Sequence, residues 1–221
     1  MAESTTKIDL VELYKSELLS DVTIQLKGET IRAHRTILAK HSVWFAKMFK
    51  KDPEYDSKVV IDASNDDPLA MRALIYFCYA GNHDCYLDKM SKPIDSFTEW
   101  GPTQKSIMFN IIMLQISVYG LAVKYDVTGI RLHMLRAFSR IARAMLDDGY
   151  WGLLTILNRA YAVQPHRNAL RTASIELFNQ YLRKWNEIHH VDDRVSRRLE
   201  LPESALKLLF QISIDAEHTQ N

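Results

Sequence analysis

Between Ser20 and Phe49 the apolar period changes from two to between three and four, and few folds accommodate that change in so short a stretch. Val22, Ile24 and Leu26 alternate with Thr23 and Gln25, the pattern of a half-buried strand. Lys27-Gly28-Glu29 supplies a turn in which Gly28 is free to take positive φ. Ile31 and Ala33 then alternate with Thr30 and Arg32 as a returning strand. From Arg35 the spacing is helical. Ser42 is suited to cap a second short helix, with Phe45, Met48 and Phe49 on one face. A hairpin followed by two short helices begins a small α+β domain.

The same residues resemble a known family. Ser20-Asp21-Val22, Ala33-His34-Arg35, Ile37-Leu38-Ala39, Ser42, Phe45 and Met48-Phe49 are similar, in type and order, to the opening of a BTB/POZ domain. The resemblance implies a protein-interaction fold rather than an enzyme. It extends to Tyr79-Ala80-Gly81, which matches the Tyr-x-Gly ending of a BTB helix. It extends again to Val118–Val127, which resembles a closing Tyr-x-Leu-Ala-x-Lys-Tyr segment, most of all in fungal BTB proteins. Asp21, His34, Ser42, Phe45, Tyr79, Gly81, Tyr119 and Tyr125 are the positions that carry this signature, and the resemblance assigns them structural roles.

Composition narrows the class. The 221 residues are 47% hydrophobic and 25% charged, enough to bury a core. Net charge is +1, with a mildly acidic first half and a mildly basic second half, far from a nucleic-acid-binding balance. No apolar run reads as long enough to span a bilayer. The start lacks a basic and apolar leader, so no secretory signal is expected. Two cysteines, Cys78 and Cys85, are too few for a disulfide framework, which predicts a reducing intracellular compartment, cytoplasm or nucleus.

Along the chain, Ile8, Val11, Tyr14 and Leu18 recur at helical spacing, predicting an amphipathic helix that ends near Leu19. Its stripe can pack on its own domain or on a second copy, and the resemblance favours the second. Val59-Val60-Ile61 reads as a short buried strand. Asp67-Pro68 opens a helix, with Asp at the cap and Pro at the first helical position, and Gly81 stops it. Residues 82–105 lack periodicity and form a predicted long loop. From Ser106 the chain reads as helical. Thr128 is expected to cap a helix with Leu132, Leu135, Phe138 and Ile141 on one stripe. Three further helices are predicted over Tyr150–Val163, Arg167–Trp185 and Ser204–Ile214.

Each candidate for chemistry has a plainer account. His83-Asp84-Cys85, and His189-His190 with Asp192-Asp193, are potential metal ligands, but neighbouring loop residues rarely converge on one ion. Arg136, Arg140 and Arg143 lie a turn apart, as a solvated face opposite a core stripe would. Asp66-Asp67 suit helix capping. The glycines are scattered, with no phosphate loop, and no nucleophile elbow occurs. No catalytic residue, cofactor or metal site is expected.

The expected architecture is therefore an N-terminal helix over 1–19, a BTB/POZ domain over 20–142 and an all-helical extension over 143–221. The expected function is a non-catalytic interaction module that self-associates as a homodimer through Ile8, Val11, Tyr14 and Leu18, and acts as an adaptor. Lys50, Lys51, Glu54 and Tyr55 form the expected partner loop. Cullin-binding relatives often carry a hydrophobic-x-Glu motif there. Asp52 stands two positions before Glu54, so the motif is absent, which weighs against a cullin partner. The alternative is a transcription or chromatin regulator touching nucleic acid through its basic helices. An enzyme using His83 and Cys85 is the third class.

Overall fold

The computed structural model of the protein describes residues 10–51, 58–81, 101–149, 152–163 and 168–190, with isolated helical positions between 205 and 212. These gather into two units. One comprises 1–99 with 114–138, the other 100–113 with 139–221.

In the first unit, helix α1 (Leu10–Ser16) precedes strands β1 (Val22–Leu26) and β2 (Glu29–Ala33). The hairpin is antiparallel, with Ile24 opposite Ile31, and Gly28 in its turn takes φ +84°. Helices α2 (Arg35–His41) and α3 (Val43–Lys50) follow, then β3 (Val59–Asp62). β3 pairs in parallel with β1, Val22 opposite Val59, so the sheet order is β2-β1-β3. Val22, Ile24, Leu26, Ile31, Ala33, Val59 and Ile61 are all buried. Val60 is not: it is 53% exposed, although the apolar run predicted a wholly buried strand. The two-residue period of a strand overrides local composition and sends Val60 to the other face.

Helix α4 (Pro68–Ala80) begins as its sequence dictates: the Asp67 carboxylate accepts from the Leu69 and Ala70 N–H groups, and Pro68 follows. Gly81 closes it at φ +71°, its N–H donating to the Phe77 carbonyl. Helix α1 stops at Ser16, short of the expected Leu19, because Glu17 and Leu19 take left-handed φ values of 53° and 59°.

Helix α5 (Pro102–Lys124) starts inside the stretch expected to be loop, and residues 82–100 lie outside the described residues. Proline suits a first helical position, where its missing N–H costs nothing. The expectation that no run could span a bilayer is corrected by length and composition. α5 has 23 residues, and an 18-residue window within it has mean hydropathy 1.8. A core helix meets the same test, and half of that window is buried within the protein. Gln115 is part of that buried set at 1% exposure, and neither polar atom of its amide has a partner among the described residues.

Helix α6 (Thr128–Asp147) includes Thr128 rather than being capped by it. Its buried residues include Ile130, Met134, Ala137, Phe138, Ile141, Ala142 and Met145, whereas Leu132 is 50% exposed. Phe138 and Ile141 of the predicted stripe are buried, whereas Leu132 is exposed and Leu135 half-buried. Arg136, Arg140 and Arg143 do not join the buried residues.

The last turn of α5 is tied to α3 and to the loop that follows the sheet. Ser42 Oγ accepts from the Phe45 N–H at 2.9 Å, capping α3, and donates to the Tyr125 carbonyl at 2.5 Å. The Tyr125 ring stacks on Phe45 at 5.4 Å. Its hydroxyl donates to Asp66 Oδ2 at 2.5 Å, and Lys124 Nζ reaches the same carboxylate at 2.6 Å.

In the second unit, α7 (Leu153–Tyr161) packs on α8 (Ala169–His190). Asn168 accepts from the Arg171 N–H at 2.9 Å, and the Arg171 guanidinium lies 3.7 Å from the centre of the Tyr161 ring. The buried cation is thus placed on an aromatic face, where the ring quadrupole attracts it. α8 continues past the predicted Trp185 end.

Two outcomes follow for stability. Tyr125→Phe removes a part-buried donor and lowers stability by ~1–2 kcal/mol, whereas Lys124→Ala, whose side chain is 52% exposed, costs under ~1 kcal/mol. Urea midpoints give the order, and a larger loss for Lys124→Ala contradicts this account. Gln115→Leu removes two buried, unpaired polar atoms and raises stability by ~1–2 kcal/mol. A lowered midpoint would mean that the amide has a partner.

Candidate protein-interaction site

The segment between α1 and β1 is held by side chains from elsewhere in the fold. His34 is 7% exposed and sits between β2 and α2. Its Nε2 lies 2.6 Å from the Leu18 carbonyl, and its Nδ1 2.6 Å from the Tyr79 hydroxyl. A carbonyl can only accept, so Nε2 carries the proton and Nδ1 accepts from Tyr79. The Tyr79 oxygen in turn accepts from the His34 backbone N–H at 2.9 Å. Asp21 Oδ1 accepts from the Arg35 N–H at 2.8 Å, and the Ser20 N–H donates to the Glu17 carbonyl at 3.2 Å. These bonds offset the roughly 1–2 kcal/mol that each left-handed residue costs.

The result is a rigid strap that turns two apolar side chains outward. Leu18 is 63% exposed and Leu19 83%. Within the same predicted stripe, Val11 and Tyr14 are both half-buried. The Tyr14 ring meets Tyr76 at 5.7 Å and Tyr79 at 5.2 Å on α4 of its own chain. Ile8 lies outside the described residues. Leu19 was not singled out from the sequence, because helical periodicity assigns it no face. The strap's left-handed turns leave no local pattern beyond the end of the periodicity.

Of the other signature positions, Ser42, Phe45, Tyr119 and Tyr125 are buried, and Gly81 caps α4. Lys50 and Lys51 are exposed at the end of α3, while Glu54 and Tyr55 lie outside the described residues. Val43 and Trp44, at the start of α3, are 49% and 38% exposed. Trp44 packs edge-on against Phe45 and Tyr125. Of the metal candidates, His83, Asp84, Cys85, Asp192 and Asp193 lie outside the described residues, and His189 and His190 end α8. Among the described residues no group of three His, Cys, Asp or Glu side chains could hold a metal ion.

Residues 10–99 match the BTB/POZ domain model. This segment is similar to a BTB/POZ domain. Such domains are non-catalytic protein-interaction modules. Similar proteins include zinc finger protein chinmo of Drosophila melanogaster, 38% identical over 79 residues, which is 35% of this chain and 13% of that protein. TD and POZ domain-containing protein 1-like of Mus musculus is 33% identical over 73 residues, 33% of this chain and 20% of that protein. TD and POZ domain-containing protein 4 of Mus musculus is 30% identical over 77 residues, 35% of this chain and 21% of that protein. The chain thus spans between 13% and 21% of these relatives' lengths. They come from fly and mouse, so the fungal likeness drawn from Val118–Val127 does not stand. Apolar and aromatic residues there serve the packing of α5, a requirement that no lineage owns.

The buried hydroxyls and thiol of the BTB/POZ segment set its alkaline limit. Burial pushes the Cys78 thiol up to about 12 from its ordinary 9.0, and lifts the Tyr79 hydroxyl well above 10.0. The folded chain holds these protons while the unfolded chain releases them, so stability is full below about pH 9 and falls as pH rises toward about 12. Urea midpoints across this range should decline. Cys78→Ala should remove the part of the decline that starts near the thiol's ordinary value and leave the tyrosine part.

Proposed function

We propose that the protein is an adaptor that uses its BTB/POZ domain to pair with a second copy of itself and to hold another protein. The observation that carries the reading is the anchored strap with Leu18 and Leu19 turned to solvent beside the partly exposed stripe of α1. Two adjacent exposed leucines on fixed backbone lose little conformational freedom when covered, and burying each contributes roughly 1.5–3 kcal/mol. A two-fold contact would set the strap and α1 of one copy against those of the other. The cullin motif is absent from the loop after α3, so a cullin is not the partner in this reading.

A second reading, a nucleic-acid-associated regulator, draws on Arg136, Arg140 and Arg143, which lie outside the buried stripe of α6, and on the zinc finger name of the fly relative. Against it stands the near-neutral net charge of +1.

Sedimentation of the full chain at about 50 µM tests the first reading, a range in which specific homodimers of ordinary interface size assemble. A dimer is expected for the wild type and a folded monomer for Leu18→Asp/Leu19→Asp. A dimer unchanged in that variant would remove the strap from the contact. Salt-dependent binding to random-sequence DNA would favour the second reading.

A further inference from the structure

The two edges of the sheet differ. On β2, Arg32 pairs with Glu17, and Glu29 with Arg72, so that edge has its charges engaged within the chain. Among the described residues, the other edge is β3. The Val59 N–H donates to the Asp21 carbonyl and the Ala63 N–H to the Gln25 carbonyl, so residues 59, 61 and 63 direct their backbone groups toward β1. Lys58, Val60 and Asp62, the alternate residues, therefore direct their N–H and C=O groups away from β1. Their side chains share the face opposite buried Val59 and Ile61, and all three are exposed. No bulge or proline interrupts β3, the devices by which edges are usually blunted.

We infer that β3 pairs antiparallel with β3 of a second copy, about a two-fold axis through Val60. The sequence of the edge is complementary to itself in one register. Setting Val60 opposite Val60 places Lys58 of each copy opposite Asp62 of the other. All three outward positions then fall on hydrogen-bonded pairs, as their backbone direction requires. The exposed face gains a Val60–Val60 contact flanked by two Lys–Asp pairs, the cross-strand arrangement that stabilises antiparallel sheets. Asp62 Oδ1 accepts from the Ser64 N–H at 3.0 Å, which holds the carboxylate at the edge. Shifting the register by two residues sets Val60 against a charged residue, so the charges select one alignment. The product is a continuous six-stranded sheet, β2-β1-β3 followed by its symmetry mate. The contact is separate from the strap and does not depend on it. An edge this short lies at the low end of interface size, so the association is weak, with a dissociation constant on the order of 100 µM.

Sedimentation velocity on the full chain up to about 500 µM covers that range. The wild type should show a concentration-dependent association step. Lys58→Glu sets carboxylate against carboxylate at both ends of the pairing and should weaken the step by about tenfold or more. Lys58→Glu/Asp62→Lys restores both pairs with reversed sign and should return it to within about threefold of wild type. Val60→Pro removes an outward N–H without touching the β1 ladder and should abolish it. Loss in Lys58→Glu without recovery in the double variant overturns the register. A step unmoved by Lys58→Glu and Val60→Pro belongs to another surface and overturns the edge contact while leaving the strap reading intact. A wild type with no step, or one whose Val60 and Asp62 amides are protected from exchange as a monomer, overturns the edge contact as well. The strap reading fails separately, on Leu18→Asp/Leu19→Asp.

Discussion

Tyr125 ties together parts of the first unit that share no local contact. Its carbonyl receives the Ser42 hydroxyl, its ring stacks on Phe45, and its own hydroxyl reaches Asp66. One residue just past the end of α5 thereby fixes the start of α3 and the loop between β3 and α4. Each bond is worth little alone, but each is shielded from water and leaves a buried polar group stranded if broken. Burial, reinforced by the hydrogen bond to Asp66, lifts the Tyr125 hydroxyl well above its ordinary value, which favours its donor form.

His34 does comparable work on the opposite side of the hairpin. The ring has one proton to give and one lone pair to receive with, and both are committed. This explains why a histidine suits the position. Asparagine is shorter, and phenylalanine would leave the Leu18 carbonyl and the Tyr79 hydroxyl without their partner. The strap's outward leucines are thus a by-product of an inward constraint. A backbone pinned at Leu18 in left-handed surroundings has no freedom to fold its side chains under the domain.

Much of this was legible in the chain. The change of period at Arg35, the Asp67-Pro68 start and the Gly81 stop are local rules acting on local residues, and the elements form where those rules put them. The α+β class followed, and the family resemblance with it. What could not be read were partners far apart in sequence: His34 with Tyr79, Ser42 with Tyr125, Asp66 with Tyr125. Spacing is silent about such pairs. Faces were misjudged where composition was uniform. Val59-Val60-Ile61 gave no contrast to mark the exposed residue, and α6 offered enough apolar positions that Leu132 fell on the wrong stripe. The outward leucines escaped for a related reason, since periodicity ends where left-handed backbone begins.

The parallel pairing of β1 with β3 carries a consequence for how the chain assembles in time. β1 and β2 are joined by a tight turn and can meet within microseconds. β3 cannot join until α2 and α3 have formed the crossover that brings it alongside in the same direction. Closing that longer loop costs entropy before any contact returns it. On a ribosome, which adds about 5–20 residues per second, the hairpin would wait several seconds with the β1 edge bare. The nascent domain therefore passes through a stage in which its central strand is its most adhesive one.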